Sequence, residues 1–192
     1  MKTVMDMPTL EVPTYSDDRL REIVREEVAL AARNDPASKR LSIIASKGTL
    51  DWAYPPLILS TAAAAGGMDT SIFFTFYGLN IIHKDHQHML KIDPVGNPAM
   101  PMPVPMADIF ASLPGMKPLA TKMMKSMFAK HGVATIDELL DAAREADVKL
   151  IACQMTMDVF GYTQDDFIDG VEFGGAAAFL SFARKGHLSL FI

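Results

Sequence analysis

Residues 135–162 read TIDELLDAAREADVKLIACQMTMDVFGY, and the order of patterns within them decides the fold class. Thr135, followed three residues later by Glu138, is a capping box: hydroxyl and carboxylate each satisfy a backbone N–H at a helix start. This makes Thr135 to Asp147 the clearest helix of the chain. Val148 to Ala152 then reads as a buried strand. Cys153 follows at once, and a short helix is expected over Thr156 to Gly161. Strands separated by helices of about ten or more residues need crossover connections, and crossovers build a mainly parallel sheet.

The same alternation extends in both directions. Upstream, Leu41 to Ala45 (LSIIA) is a short apolar run, Lys47-Gly48-Thr49 a turn, and Ala53 to Ala65 a small-residue helix stopped by Gly66-Gly67. Pro55-Pro56 is expected near the first turn of that helix, where proline is tolerated. Thr70 to Phe76 (TSIFFTF) is aromatic and β-branched, as strands are. Pro118 to Lys130 is a further amphipathic helix. Downstream lie a strand over Val171 to Phe173, a Gly-Ala-rich helix to Lys185 and a closing strand, Leu188 to Ile192.

Ser16, with Asp17 and Asp18 in the first turn, caps a helix reaching Asn34, with Leu20, Ile23, Val24, Val28 and Ala31 on one apolar face. Residues 1–13 read as a loose arm, and Asp93 to Pro105, with five prolines, as a loop. The expectation is an α/β protein: an open, doubly wound, Rossmann-like sheet of about five mainly parallel strands with helices on both faces. Residues 1–38 form an N-terminal arm and helix, and residues 39–192 a single α/β domain. Ligands of such folds sit outside the carboxyl ends of the strands.

Composition narrows the function. The 192 residues carry 18 Lys and Arg against 23 Asp and Glu, a formal net charge of −5. That argues against nucleic acid as a partner, which needs a clear basic surface. Hydrophobic residues make up 49%, as in globular chains. The longest uncharged stretch, Trp52 to Met68, is broken by Pro55-Pro56 and Gly66-Gly67 and is shorter than the roughly 20 residues of a membrane span. The expectation is a soluble, cytoplasmic protein without a targeting segment. One cysteine rules out an internal disulfide and suits a reducing compartment or a reactive thiol.

Three features carry candidate chemistry. Cys153 lies at the carboxyl edge of a buried strand and just before a helix, where N-terminal N–H groups favour a thiolate; the bland alternative is a buried cysteine acting as a small hydrophobe. His83, His86 and His88 have a spacing that suits zinc or another borderline metal, although a solvated polar turn explains them as well. Seven of the 14 methionines fall between Met100 and Met127, which suits an adaptable lid or partner surface. No dinucleotide fingerprint, P-loop or nucleophile elbow is present, and no cofactor is expected.

Three segments read together resemble the DsrE/DsrF/DsrH-like sulfur-relay family, in particular the larger branch associated with rhodanese and TusA proteins. They are FFTFYGLNIIHK (Phe73 to Lys84), ACQMTMDVFGY (Ala152 to Tyr162) and the closing LSLFI. The resemblance runs from about Arg40 to Ile192. It implies a Rossmann-like sheet and a cysteine, here Cys153, that accepts sulfane sulfur as a persulfide or thiosulfonate and passes it to a partner thiol. Threonine stands at position 156 where the family usually has serine, and Phe160 where it often has methionine; hydroxyl and apolar character are kept.

On this reading the backbone N–H groups after Cys153 stabilise the charged intermediate, and Met155 and Thr156 are among the residues that bind the cargo. Gly48, Thr49, Gly78 and Asn80 line the same edge, and His83 and Lys84 offset the charge of a thiosulfonate. The implied partners are TusA-like and rhodanese-like sulfur-transfer proteins, and a homo-oligomer is expected. A metal-binding module built on His83, His86 and His88, or a non-catalytic interaction protein, are the alternatives.

Overall fold

The computed structural model describes residues 16–34, 39–92, 115–186 and 188–192. The expected N-terminal arm and most of the Pro- and Met-rich segment lie outside the described residues. Residues 39–192 form one compact unit, and residues 1–38 another. The latter contains helix α1 (Asp17–Asn34), where the Arg19 N–H donates to the Ser16 hydroxyl at 3.4 Å, the expected cap.

The larger unit runs β1 (Arg40–Ala45), α2 (Leu50–Ala65), β2 (Asp69–Phe74), α3 (Met116–Lys130), α4 (Ile136–Glu145), β3 (Lys149–Cys153), α5 (Gln154–Phe160), β4 (Val171–Gly174), α6 (Ala176–Ala183) and β5 (Leu188–Phe191). Short 3-10 turns occupy Phe76–Ile81, Gln87–Met89 and Gln164–Asp166. The five strands form one sheet in the order β4-β3-β2-β1-β5, every pair parallel. The expected open α/β sheet is therefore present.

The central strands β1, β2 and β3 are buried on both faces, which is why they read as unbroken apolar runs. On one face Leu41, Ile43, Ile72, Phe74, Leu150 and Ala152 meet Leu57 of α2 and Leu140 of α4. On the other, Phe73, Ile151 and Cys153 cluster with Phe179 of α6. Cys153 thus belongs to the face opposite the larger core. At the amino edge Asp69 bonds Arg40 at 2.8 Å and Lys149 at 3.1 Å, tying the first residues of β1, β2 and β3 together. No helix among the described residues is long and apolar enough to cross a membrane.

Two expected boundaries shift. Helix α2 begins at Leu50, three residues before Ala53. The extended backbone of Thr49 starts it, and the Leu50 N–H is taken by the Lys91 carbonyl at 3.1 Å. Pro55 and Pro56 therefore lie beyond its first turn, where each removes one i to i−4 bond. Strand β2 ends at Phe74 rather than Phe76, because Phe76 takes a left-handed backbone, φ 48°, that no strand continues.

Candidate functional site

The site is built where β2 and β3 end together. Their register pairs Phe73 with Ile151 and Phe74 with Ala152, so Thr75 comes beside Cys153. Side chains alternate along strands; Thr75 shares a face with Phe73, and Cys153 with Ile151, the face covered by α6. Across β3 the partner of Cys153 is Gly174, the last residue of β4. Cys153 is both the last residue of β3 and the N-cap of α5, a helix that starts two residues earlier than the sequence suggests.

Thr75, Thr156 and the Phe76 N–H meet beside Cys153. Thr156, in the first turn of α5, and Thr75 bring their hydroxyl oxygens to 3.2 Å of each other, and the Phe76 N–H donates to Thr156 Oγ1 at 3.3 Å. Cys153 is 4% exposed and Thr156 2%. Burial alone pushes the Cys153 thiol up. The hydroxyl and N–H of Thr156, the hydroxyl of Thr75 and the N–H of Met155 outweigh it and hold the thiol below its ordinary range. A thiolate is favoured by donors aimed at it and disfavoured by desolvation, and here the donors win. The Met155 side chain points outward, 60% exposed, with Phe76, Tyr77 and Val159 as neighbouring exposed apolar residues on the same two elements.

The remaining sequence candidates divide between roles. Gly78 is a packing glycine: its N–H donates to Ser46 and Thr75 carbonyls, and a Cβ there would lie 2.1 Å from the Ala45 carbonyl oxygen. Gly48 likewise passes so close to the Tyr77 carbonyl that a Cβ would meet it at 2.1 Å. Gly48, Thr49 and Asn80 line a cavity of about 390 Å³ with His86, Lys91 and Lys117. Cys153 is not among its lining residues. The carboxyl edge thus carries two separate features, a thiol beside a pair of mutually bonded threonines and an open cavity.

The histidines do not converge. The His83 and His86 rings stack 3.9 Å apart, with Tyr162 against His83 at 4.8 Å. His86 Nδ1 bonds Asn80 Oδ1 at 3.0 Å, and Tyr162 donates to the same oxygen at 3.4 Å. His83 is 5% exposed; burial, then the neighbouring His86, pushes its imidazole below the ordinary 6.5. His88 turns instead to Asp137, at 3.5 Å. Among the described residues no three His, Cys, Asp or Glu side chains are grouped to hold a metal ion, so the histidine spacing builds an aromatic stack rather than a ligand set. Lys84 donates its Nζ to the Asp165 carbonyl at 2.7 Å.

Sequence reading missed Thr75 and Phe76 at the thiol, and Tyr162 in the histidine stack. The register of β2 on β3 is the signal that would have found Thr75, and it is a property of the folded sheet.

The sequence profile of the DsrE/DsrF/DrsH-like family matches residues 37–191. The chain is similar to the sulfur carrier protein DsrE2 of Allochromatium vinosum, with 51% identity over 158 residues that cover 80% of this chain and 98% of that protein. It is also similar to the protein YrkE of Bacillus subtilis, with 33% identity over 159 residues, 81% of this chain and 98% of that one.

Proposed function

The chain belongs to the DsrE/DsrF/DrsH-like family, and from that membership we propose that it is a sulfur carrier whose cargo rides on Cys153. The observation that carries this reading is the placement of the chain's one cysteine. It stands at the end of β3, where two threonine hydroxyls and two backbone N–H groups lower its thiol from the ordinary range against the push of burial. The thiolate is the attacking form in sulfur exchange. The half-identical relative named as a sulfur carrier supports the same chemistry.

The exchange needs no outside oxidant. The Cys153 thiolate attacks the outer sulfur of a donor persulfide, a new S–S bond forms, and the donor leaves as a thiolate. A partner thiolate then attacks the outer sulfur held on Cys153, and Cys153 departs as the thiolate it was. A thiosulfonate follows the same logic with thiosulfate as cargo. One cysteine offers no second thiol for an internal disulfide, so on this reading release is intermolecular. TusA-like and rhodanese-like proteins are the proposed partners, and the cytoplasm the proposed location. Exposed Leu180, Leu188 and Phe191 support self-association.

Intact mass spectrometry under non-reducing conditions tests the reading. Wild type treated with polysulfide, and separately with tetrathionate, should gain a sulfur or thiosulfate adduct that reductant removes. The Cys153→Ser chain should gain none. A folded wild type that stays unmodified while iodoacetamide still reaches its thiol would sink the proposal.

A further inference from the structure

Phe76 is one of two non-glycine residues in the left-handed region among the described residues, with φ 48°; the other is Asp147. A bulky residue rarely adopts that conformation, and such strain persists where the surroundings over-determine it. Burial of the ring does not repay it, because Phe76 is 55% exposed. What the conformation does secure is the place of one hydrogen-bond donor. The Thr75 N–H is fixed to the Ala45 carbonyl at 3.0 Å, Thr75 is extended, and the chain must then turn at once into the 76–81 segment that packs Gly78 against Ala45 and Ser46. With Phe76 left-handed, the chain makes that turn while the Phe76 N–H stays on Thr156 Oγ1 at 3.3 Å.

A threonine hydroxyl has one proton to give and two lone pairs to receive. A donor seated on one lone pair leaves the proton to point elsewhere, and hinders a neutral S–H that would use the same oxygen as its acceptor. Thr75 Oγ1, 3.2 Å from Thr156 Oγ1, is the other polar neighbour. We propose that the Phe76 backbone N–H is a positioning group: it fixes Thr156 as a donor toward Cys153, and the left-handed backbone at Phe76 is kept for that purpose. The inference rests on Cys153 being the reactive sulfur. The group acts through Thr156 and touches no substrate.

The test replaces the amide between Thr75 and Phe76 by an ester in the full chain, using the α-hydroxy analogue of phenylalanine. This deletes the N–H and keeps the side chain. Cys153 is the only cysteine, so the pH profile of iodoacetamide alkylation reads one thiol. The ester should move the midpoint upward by about half a unit to one unit and slow alkylation at neutral pH about two- to threefold. Phe76→Val, which disfavours the left-handed backbone through its branched Cβ, should move it the same way. Asp147→Val strains the other left-handed residue, at the opposite edge of the sheet, and should lower Tm without moving the midpoint.

A folded ester chain with the wild-type midpoint would overturn the inference, and so would an Asp147→Val chain shifted as far as the ester. Polysulfide loading of wild type, measured in parallel, keeps the two proposals apart. A moved midpoint without loading rejects the sulfur cargo but keeps the positioning role; loading with an unmoved midpoint does the reverse.

Discussion

Thr156→Val probes the site most directly. Valine keeps the shape of a side chain that is 2% exposed and removes the oxygen that faces Thr75, the Phe76 N–H and the sulfur. A hydrogen bond to a charged group contributes about 1.5–3 kcal/mol, and one pH unit corresponds to about 1.4 kcal/mol. The thiol midpoint should therefore rise by about one to two units. Below both midpoints the thiolate fraction falls about 10- to 100-fold. Nucleophilicity recovers part of this with a Brønsted slope near 0.4–0.5, leaving alkylation about 3- to 10-fold slower.

Linkage adds a second reading of the same change. The folded thiol lies below its ordinary value of 9.0, so between the two values the unfolded chain holds more protons. Wild type should gain stability as pH rises through that window, and Thr156→Val should gain less. Leaving the Phe76 N–H unpaired costs a further ~1–3 kcal/mol of folding stability at any pH. The assay is the alkylation rate of the single thiol against pH, with urea unfolding beside it. Thr156→Ser should return the midpoint to near wild type. A folded Thr156→Val chain with an unmoved midpoint would refute the claim that this hydroxyl holds the thiolate.

Three further outcomes follow from the geometry. The His83 imidazole, pushed below 6.5 by burial and by His86, should be neutral at pH 7, so stability should be lost as pH falls from about 6.5 through the folded value. Thermal unfolding of His83→Phe should lack that loss, and an unchanged profile would contradict the assignment. Burial pushes the Asp69 carboxyl up, yet Lys149 and Arg40 outweigh it and hold it below 3.8. Its contribution is present above that value and lost as pH falls through the folded one. Asp69 and Lys149 are more than a third exposed, so Asp69→Asn should cost only about 1 kcal/mol or less at neutral pH, shrinking in high salt. Gly78→Ala drives a Cβ to 2.1 Å from a backbone oxygen and should cost about 3 kcal/mol or more in denaturant unfolding; a near-neutral effect would mean that the 76–81 turn yields easily.

What the sequence made legible was what hydrophobic period and turn chemistry encode. The capping box of Thr135 and Glu138 is observed, and the short apolar runs are the buried parallel strands. Cys153 could be placed at a strand end because one apolar run stops there. Its partners could not. Thr75 is 78 residues away in the chain, and only the pairing of Phe73 with Ile151 brings it to the sulfur. The histidine spacing left a metal site or a polar turn open because spacing says nothing of ring orientation; once His83 is buried between His86, Tyr162 and Phe167, it is a packing element. Gly48 and Gly78 were read as lining the site edge; Gly48 does line the cavity there, and both are glycines because another backbone passes where a Cβ would be, which the sequence does not reveal.

On the proposed function, two opposing demands meet at Cys153. A carrier must keep its sulfur from stray reductants and oxidants, which favours burial, and burial favours the neutral thiol. It must also attack and leave as a thiolate, which favours donors and charge. A lysine or arginine beside the sulfur would meet the second demand, but a cation in a nearly closed site carries its own desolvation cost. Threonine hydroxyls and backbone N–H groups supply partial charge without that cost, from side chains and peptides the fold already orders. The groups acting on this thiol are all of that kind. Each depends on the ends of β2 and β3 staying in register. The chemistry at Cys153 is in that sense a property of the sheet edge: a one-residue slip of β2 against β3 would turn Thr75 to the other face and remove one of its donors without touching the cysteine.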